Sequence, residues 1–214
     1  YRISYATARP LSQESCYYTL DNGATLWPAA PIWNQFQPSR PQRVQLNYTL
    51  LGDHFQGYDH AIRVNRVDTI LTKMPVDDQG EKNDSVFGAD AVEVSDIWIG
   101  DGFLNIIFRI SLSGQFKHAV NLLHNKAEGA DPYRLEFRHN AFGDKNQYKS
   151  YGMVAFDLSE IDTNEADVDL IVKIKTFDGE KDYKMKYNSG KNLGLQPKLH
   201  QELKDDKNSV QILE

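Results

Sequence analysis

The chain has 214 residues and a net charge of −6, with 40% hydrophobic and 11% aromatic side chains. That is enough apolar material for one large or two small packed cores, so global disorder is excluded. The acidic balance argues against nucleic acid as a main partner, because phosphate binding needs a basic face. A single cysteine rules out a disulfide framework or a metal–thiolate cluster, and no stretch has the length of a transmembrane helix.

Short strand-like runs separated by turn signals predict an all-β chain. Arg2 to Ala8 is the first. Cys16 to Leu20 leads through Asp21-Asn22-Gly23, a hairpin signal, to a return strand at Ala24 to Trp27. Cys16 in this run reads as a buried, inert thiol. Pro28 to Pro41, with its prolines and with Trp33 and Phe36, reads as a long surface loop. Val44, Leu46, Tyr48 and Leu50 then alternate. Ile62 and Val64 follow, and Val67 to Leu71 continues in shifted phase, which predicts a bulge.

Asp77 to Asp84 contains no hydrophobic side chain and reads as a domain linker, with a long hairpin loop inside one domain as the alternative. The expected division is therefore residues 1–80, 85–190 and a C-terminal extension, 191–214, packed on the body. The second part opens with the most telling segment, Asp96 to Leu112. Gly100-Asp101-Gly102 is turn chemistry, and Leu104, Ile106, Phe108, Ile110 and Leu112 recur at every second position, which predicts a strand with one buried face. Further strands are expected at Ala119–Leu123, Tyr133–Phe137, Tyr151–Leu158, Val168–Ile174 and Tyr183–Tyr187. About seven strands in some hundred residues is the count of a two-sheet sandwich. In the extension, Leu199–Leu203 suggests a short helix and Val210–Leu213 a short strand.

Recognisable catalytic spacing is missing. Six histidines are scattered. His118 and His124 share a strand face, but no carboxylate or thiol completes a zinc pattern. There is no nucleophile elbow, phosphate-cradling glycine loop or dinucleotide fingerprint. The thirty acids permit many accidental carboxylate pairs. No catalytic residue, metal or cofactor is assigned; an enzyme with a dispersed site would look much the same. The binding candidates are Trp27, Trp33 and Phe36, large aromatics able to form a stacking platform for sugars, bases or peptides. The competing reading is that they cap a barrel core. Trp98, between Ile97 and Ile99, reads as packing.

Tyr17 to Pro28, Arg43 to Tyr48, Ile70 to Lys73, Asp96 to Ile99 with Phe103 to Ile106, and His118 to Leu122 together resemble the NigD-like family of Bacteroidetes cell-envelope lipoproteins. The resemblance implies an all-β fold, an N-terminal OB-type small barrel followed by a C-terminal antiparallel β-sandwich. It also implies lipid-anchored residence in the envelope, at the periplasm or outer membrane, and a role in bacteriocin immunity, with no catalytic residues to carry over. Cys16 lies within a strand, so the lipid-bearing cysteine is expected upstream of Tyr1, where the chain starts without an initiator methionine or signal peptide. In a host of that phylum, Asp84-Ser85-Val86 matches an O-glycosylation pattern at Ser85; Asp68-Thr69-Ile70 matches by chance. The expected function is a non-enzymatic binding module for an envelope protein, peptide or glycan. The alternatives are an enzyme acting on envelope polymers and a structural subunit of a surface assembly.

Overall fold

A computed structural model describes residues 1–13, 15–31, 36–113, 117–144 and 148–191, together with the backbone of residues 212–213. The chain divides into two compact units. Among the described residues, the first comprises residues 1–72 with 99–102, and the second comprises 73–98 and 103–191.

In the first unit, β1 (Arg2–Pro10), β2 (Cys16–Leu20), β3 (Thr25–Ala30), β4 (Gln42–Phe55) and β5 (Tyr58–Thr69) close into a barrel in the order β1-β2-β3-β5-β4. Closure leaves no unpaired edge. The alternating residues set which way each strand faces: Ala6, Ala8, Cys16, Tyr18, Leu26, Val44, Leu46, Tyr48 and Ile62 fill the interior. The phase change in β5 is a bulge. Tyr48 pairs with Val64 and Asn47 with Arg66, so Asn65 is the extra residue. The expected loop at Pro28 begins later than the prolines suggest. Pro28 to Ala30 belongs to β3, where a register shift against β5 accommodates the missing N–H.

The opposite side of β1 and β4 carries a buried polar cluster. Arg43 is fully buried and pairs with Asp21 at 2.7 Å, and it donates to the Thr7 hydroxyl at 3.1 Å. Arg9 bonds Thr19 and pairs with Asp101 at 2.8 Å. Asp101 stands in the tight turn 99–102, where its φ of 49° and that of Gly102, 81°, are the left-handed values a two-residue hairpin turn requires. Burial pushes the Asp101 carboxyl above its ordinary value, against the opposing pull of Thr7, Arg9 and Arg43. Gly100 has no room for a side chain: a Cβ there would overlap the Asp21 carboxylate. Gly100→Ala is therefore expected to cost about 1–3 kcal/mol through displacement of Asp21 from Arg43. Urea denaturation measures it, and an unchanged midpoint would show that the carboxylate moves aside freely.

The second unit contains a two-sheet sandwich. One sheet has the order β6-β12-β9-β8, from β6 (Leu71–Lys73), β8 (Glu93–Gly100), β9 (Phe103–Leu112) and β12 (Tyr148–Asp157). The other has the order β14-β13-β11-β10-β15, from β10 (His118–His124), β11 (Arg134–Asn140), β13 (Val168–Thr176), β14 (Gly179–Tyr187) and β15 (Ile212–Leu213), with β7 (Val76–Asp77) also on β10. The β9–β12, β10–β11 and β13–β14 ladders are antiparallel, and β11–β13, β10–β7 and β10–β15 are parallel. Phe137 of the second sheet meets Phe108 and Phe156 of the first, at centroid distances of 5.5 and 6.2 Å, so the sheets bury their facing sides against each other.

Two local expectations change. The polar run 77–84 is built into the second unit rather than joining two domains. Asp77 ends β7, a 3₁₀ turn covers Gly80–Lys82, and α1 (Asn83–Phe87) follows. Its polar side chains serve the run's own backbone: Asp78 accepts from the Gly80 N–H, and the buried Asn83 accepts from that of Gln79. β9, read as half-buried, is covered on both sides from Phe103 to Phe108. Asn105 tolerates this because its amide donates to the Phe103 carbonyl at 3.0 Å. The helix expected at Leu199–Leu203 lies outside the described residues.

Candidate functional site

Cys16 and Tyr18 point into the barrel, so Tyr17 between them faces outward. Leu26 is likewise interior, and Trp27 next to it faces outward. Tyr58, which opens β5 after the Gln56-Gly57 turn, places its ring against both. The centroids lie 5.3 Å from Tyr17, at an interplanar angle of 52°, and 5.1 Å from Trp27, at 31°. All three rings are half-buried. They form a continuous aromatic ridge on the outside of β2, β3 and the start of β5.

Polar groups border the ridge. Asp59 accepts from the backbone N–H of Thr25 at 2.7 Å and from its hydroxyl at 2.8 Å, and Thr25 shares the outward face of β3 with Trp27. Those two hydrogen bonds hold the Asp59 carboxyl below its usual range, so it is ionised at neutral pH. On the β4–β5 hairpin, Asp53 meets His60 at 2.6 Å, and Phe55 pairs across from Tyr58. Farther along the outward face of β5 stands the exposed Arg63, opposite Ala30.

Of the residues singled out in the sequence, Trp27 is thus in the ridge. Phe36 packs against the barrel core instead, and its carbonyl accepts from the Cys16 thiol, whose pKa burial raises. Trp33 lies outside the described residues. Trp98 is buried, 3% exposed. Ser85 is exposed on α1 and donates to the Lys82 carbonyl. The sequence reading missed Tyr17 and Tyr58. Tyr17 was legible as the outward residue between Cys16 and Tyr18, whereas the meeting with Tyr58 depends on the parallel β3–β5 pairing.

The second unit holds a buried chain of titratable groups. His118 Nδ1 is 2.9 Å from His139 Nε2, and His118 Nε2 is 3.1 Å from Asp144 Oδ2. Asp144 also accepts from Ser113, whose side chain and, at 2.9 Å, N–H are the main causes that lower its pKa, with His118 adding to them. His139 is pushed down to about 4, first by burial and then by the charge of His118. His124 goes elsewhere, its Nε2 facing the Pro132 carbonyl at 3.1 Å. Among the described residues, no three His, Cys, Asp or Glu side chains converge on a point that a metal could occupy. A hollow of about 280 Å³ on the same unit is lined by Asp78, Asp131, Arg134, Glu136 and Lys173. Its cations are already engaged, Arg134 with Asp182 and Lys173 with Glu136 and Glu180. None of the described helices is long and apolar enough to cross a membrane.

The family models match both units in turn. Residues 5–70 match the NigD-like N-terminal OB domain, and residues 74–187 match the NigD-like C-terminal beta sandwich domain. The chain belongs to the NigD-like family. Among solved structures, it resembles a protein from Parabacteroides distasonis named as toxin-related. The identity is 42%, the match covers 88% of this chain and 93% of that one, and the TM-score is 0.80. A NigD-like immunity protein from Bacteroides caccae shares 20% identity over 87% and 96% of the two chains, with a TM-score of 0.65. A protein from Bacteroides fragilis named as a lipoprotein shares 12% over 89% and 100%, with a TM-score of 0.60. The last two likenesses concern the fold alone. No curated protein matches the chain.

Proposed function

We propose that this NigD-like protein is a non-enzymatic binding module of the cell envelope, held there by a lipid anchor, and that its OB barrel carries the ligand face. The observation behind this reading is the Tyr17–Tyr58–Trp27 ridge. Half-exposed rings in contact on an outer barrel wall contribute little to the core, and they keep flat apolar faces available to a partner. The position adds support by analogy. OB barrels bind oligomers across the face of their second and third strands and the loops beside it, and Tyr17, Trp27 and Tyr58 lie on β2, β3 and next to the β4–β5 turn. The buried histidine chain favours no catalytic reading, because its groups are spent on one another below the surface. Immunity is one biological use of such a module; the Bacteroides caccae protein of the same fold is named as an immunity protein.

The test compares wild type with Trp27→Ala and Tyr58→Ala for retention of solubilised envelope polymers and peptides. Truncating one stacking ring is expected to weaken retention by about tenfold, with the melting temperature nearly unchanged, since a stacked aromatic contributes roughly 1–1.5 kcal/mol. Equal retention by both variants would remove the ridge from the binding surface. The Ser85 glycan is a separate proposal, read directly as added mass on protein from the native host; an unmodified mass there would dispose of it.

A further inference from the structure

Resting on the reading of the ridge as the ligand face, we infer that its ligand is a neutral oligosaccharide. The closed barrel decides against the main alternative. All five strands are paired on both sides in the order β1-β2-β3-β5-β4. No whole strand edge is therefore open for a peptide to join as an added strand, which is the commonest way a sheet holds an extended peptide; what lies outside the β1–β2 and β2–β3 ladders is short, Arg2–Tyr5 of β1 and Trp27–Ala30 of β3. Recognition must come through side chains on the outer wall.

Those side chains suit a ring with apolar faces and a hydroxylated rim. Tyr17, Tyr58 and Trp27 sit in succession at 5.3 and 5.1 Å. They offer adjoining electron-rich surfaces to the C–H faces of successive sugar units. Around them stand groups that bond hydroxyls. Asp59 is ionised and fixed by Thr25, the Asp53–His60 pair supplies acceptor and imidazole, and Arg63 supplies donors farther along the same strand face.

The charges complement a neutral ligand. Asp59, bonded to Thr25 on the outward face that Trp27 shares, stands beside the rings, where it repels phosphate, sulfate or uronate groups. Arg9, opposite Tyr17 in the β1–β2 ladder, is occupied by Asp101 and Thr19 and is not offered to an anion. A polycation is disfavoured in turn by Arg63 on the same face.

The experiment is calorimetric titration of the full chain with three kinds of probe: neutral hexasaccharides of glucose, mannose and N-acetylglucosamine; a proline-rich and a lysine-rich decapeptide; and heparin. Saturable binding of at least one neutral hexasaccharide is expected, insensitive to salt. It should weaken about tenfold in Trp27→Ala and be largely restored in Trp27→Phe, which keeps an aromatic face. Asp59→Asn, which keeps the hydrogen bonds to Thr25 largely in place, should weaken it by less. Binding of a peptide alone, lost in Trp27→Ala, would overturn the glycan inference while leaving the ridge as ligand face. Hexasaccharide binding indifferent to Trp27 would overturn both. Heparin binding alone, or no saturable response to any probe, would overturn the inference as well.

Discussion

Replacing Arg43 by alanine is expected to cost the barrel about 3–5 kcal/mol, the typical cost of removing one partner from a buried ion pair. The guanidinium is fully buried, pairs with Asp21 at 2.7 Å and bonds the Thr7 hydroxyl. Its field is also one of the pulls that oppose the upward shift burial imposes on the Asp101 carboxyl. Alanine leaves the Asp21 carboxylate in a site with 4% side-chain exposure and no counter-charge, next to a void the size of the lost side chain. Arg43→Met with Asp21→Asn should recover a substantial part of the loss, because it fills most of the volume and removes the stranded charge. Urea unfolding followed by a probe of the barrel measures both variants. A cost below about 1 kcal/mol for Arg43→Ala would mean that water reaches the pair and screens it as it does a surface bridge.

That cluster also marks where sequence reasoning stops. Alternation told which side of β4 is interior: Val44, Leu46 and Tyr48 are all buried, and the shifted phase after Val64 located the bulge at Asn65. By the same alternation Arg43 belongs to the outer side, where an arginine normally meets water. Its partner Asp21 lies against Gly100, and Arg9 beside it pairs with Asp101, both far along the chain; periodicity carries no information about such meetings. The misread linker has a related cause. Composition showed that 77–84 lacks apolar side chains, but Asp78 and Asn83 satisfy the backbone of their own turn and order the run without a core. At the ridge, the outward direction of Trp27 was legible, while its partners were not. Proximity in sequence pointed to Trp33 and Phe36, and strand pairing supplied Tyr17 and Tyr58. His118 and His139 meet because Val120 pairs with His139 in the β10–β11 ladder, a register that the sequence does not reveal.

The second large effect is a loss of stability in mild acid, centred on His139. Its folded-state pKa is lowered to about 4 from an ordinary 6.5, by burial first and by His118 second, with Asp90 opposing. A histidine held neutral in this way binds its proton more weakly when folded than when unfolded. Its contribution to stability is complete above about pH 6.5, declines as the pH falls because the unfolded chain takes up the proton first, and is exhausted near pH 4. At about 1.4 kcal/mol for each pH unit of displacement, the total is roughly 3 kcal/mol. Asp144, Asp59, Asp167 and Asp169 are all lowered from 3.8, so their contributions disappear below the histidine window. Asp101 is raised and works in the opposite sense, because the folded protein takes up that proton first as the pH falls. Urea midpoints measured between about pH 7 and pH 4.5 should therefore fall steeply in the wild type. His139→Gln keeps a hydrogen-bonding group for His118 but cannot titrate, and it should flatten most of that slope while losing some stability at neutral pH. If the slope survives in the variant, the acid sensitivity belongs to another group, and the His118–His139–Asp144 chain is structural at every pH.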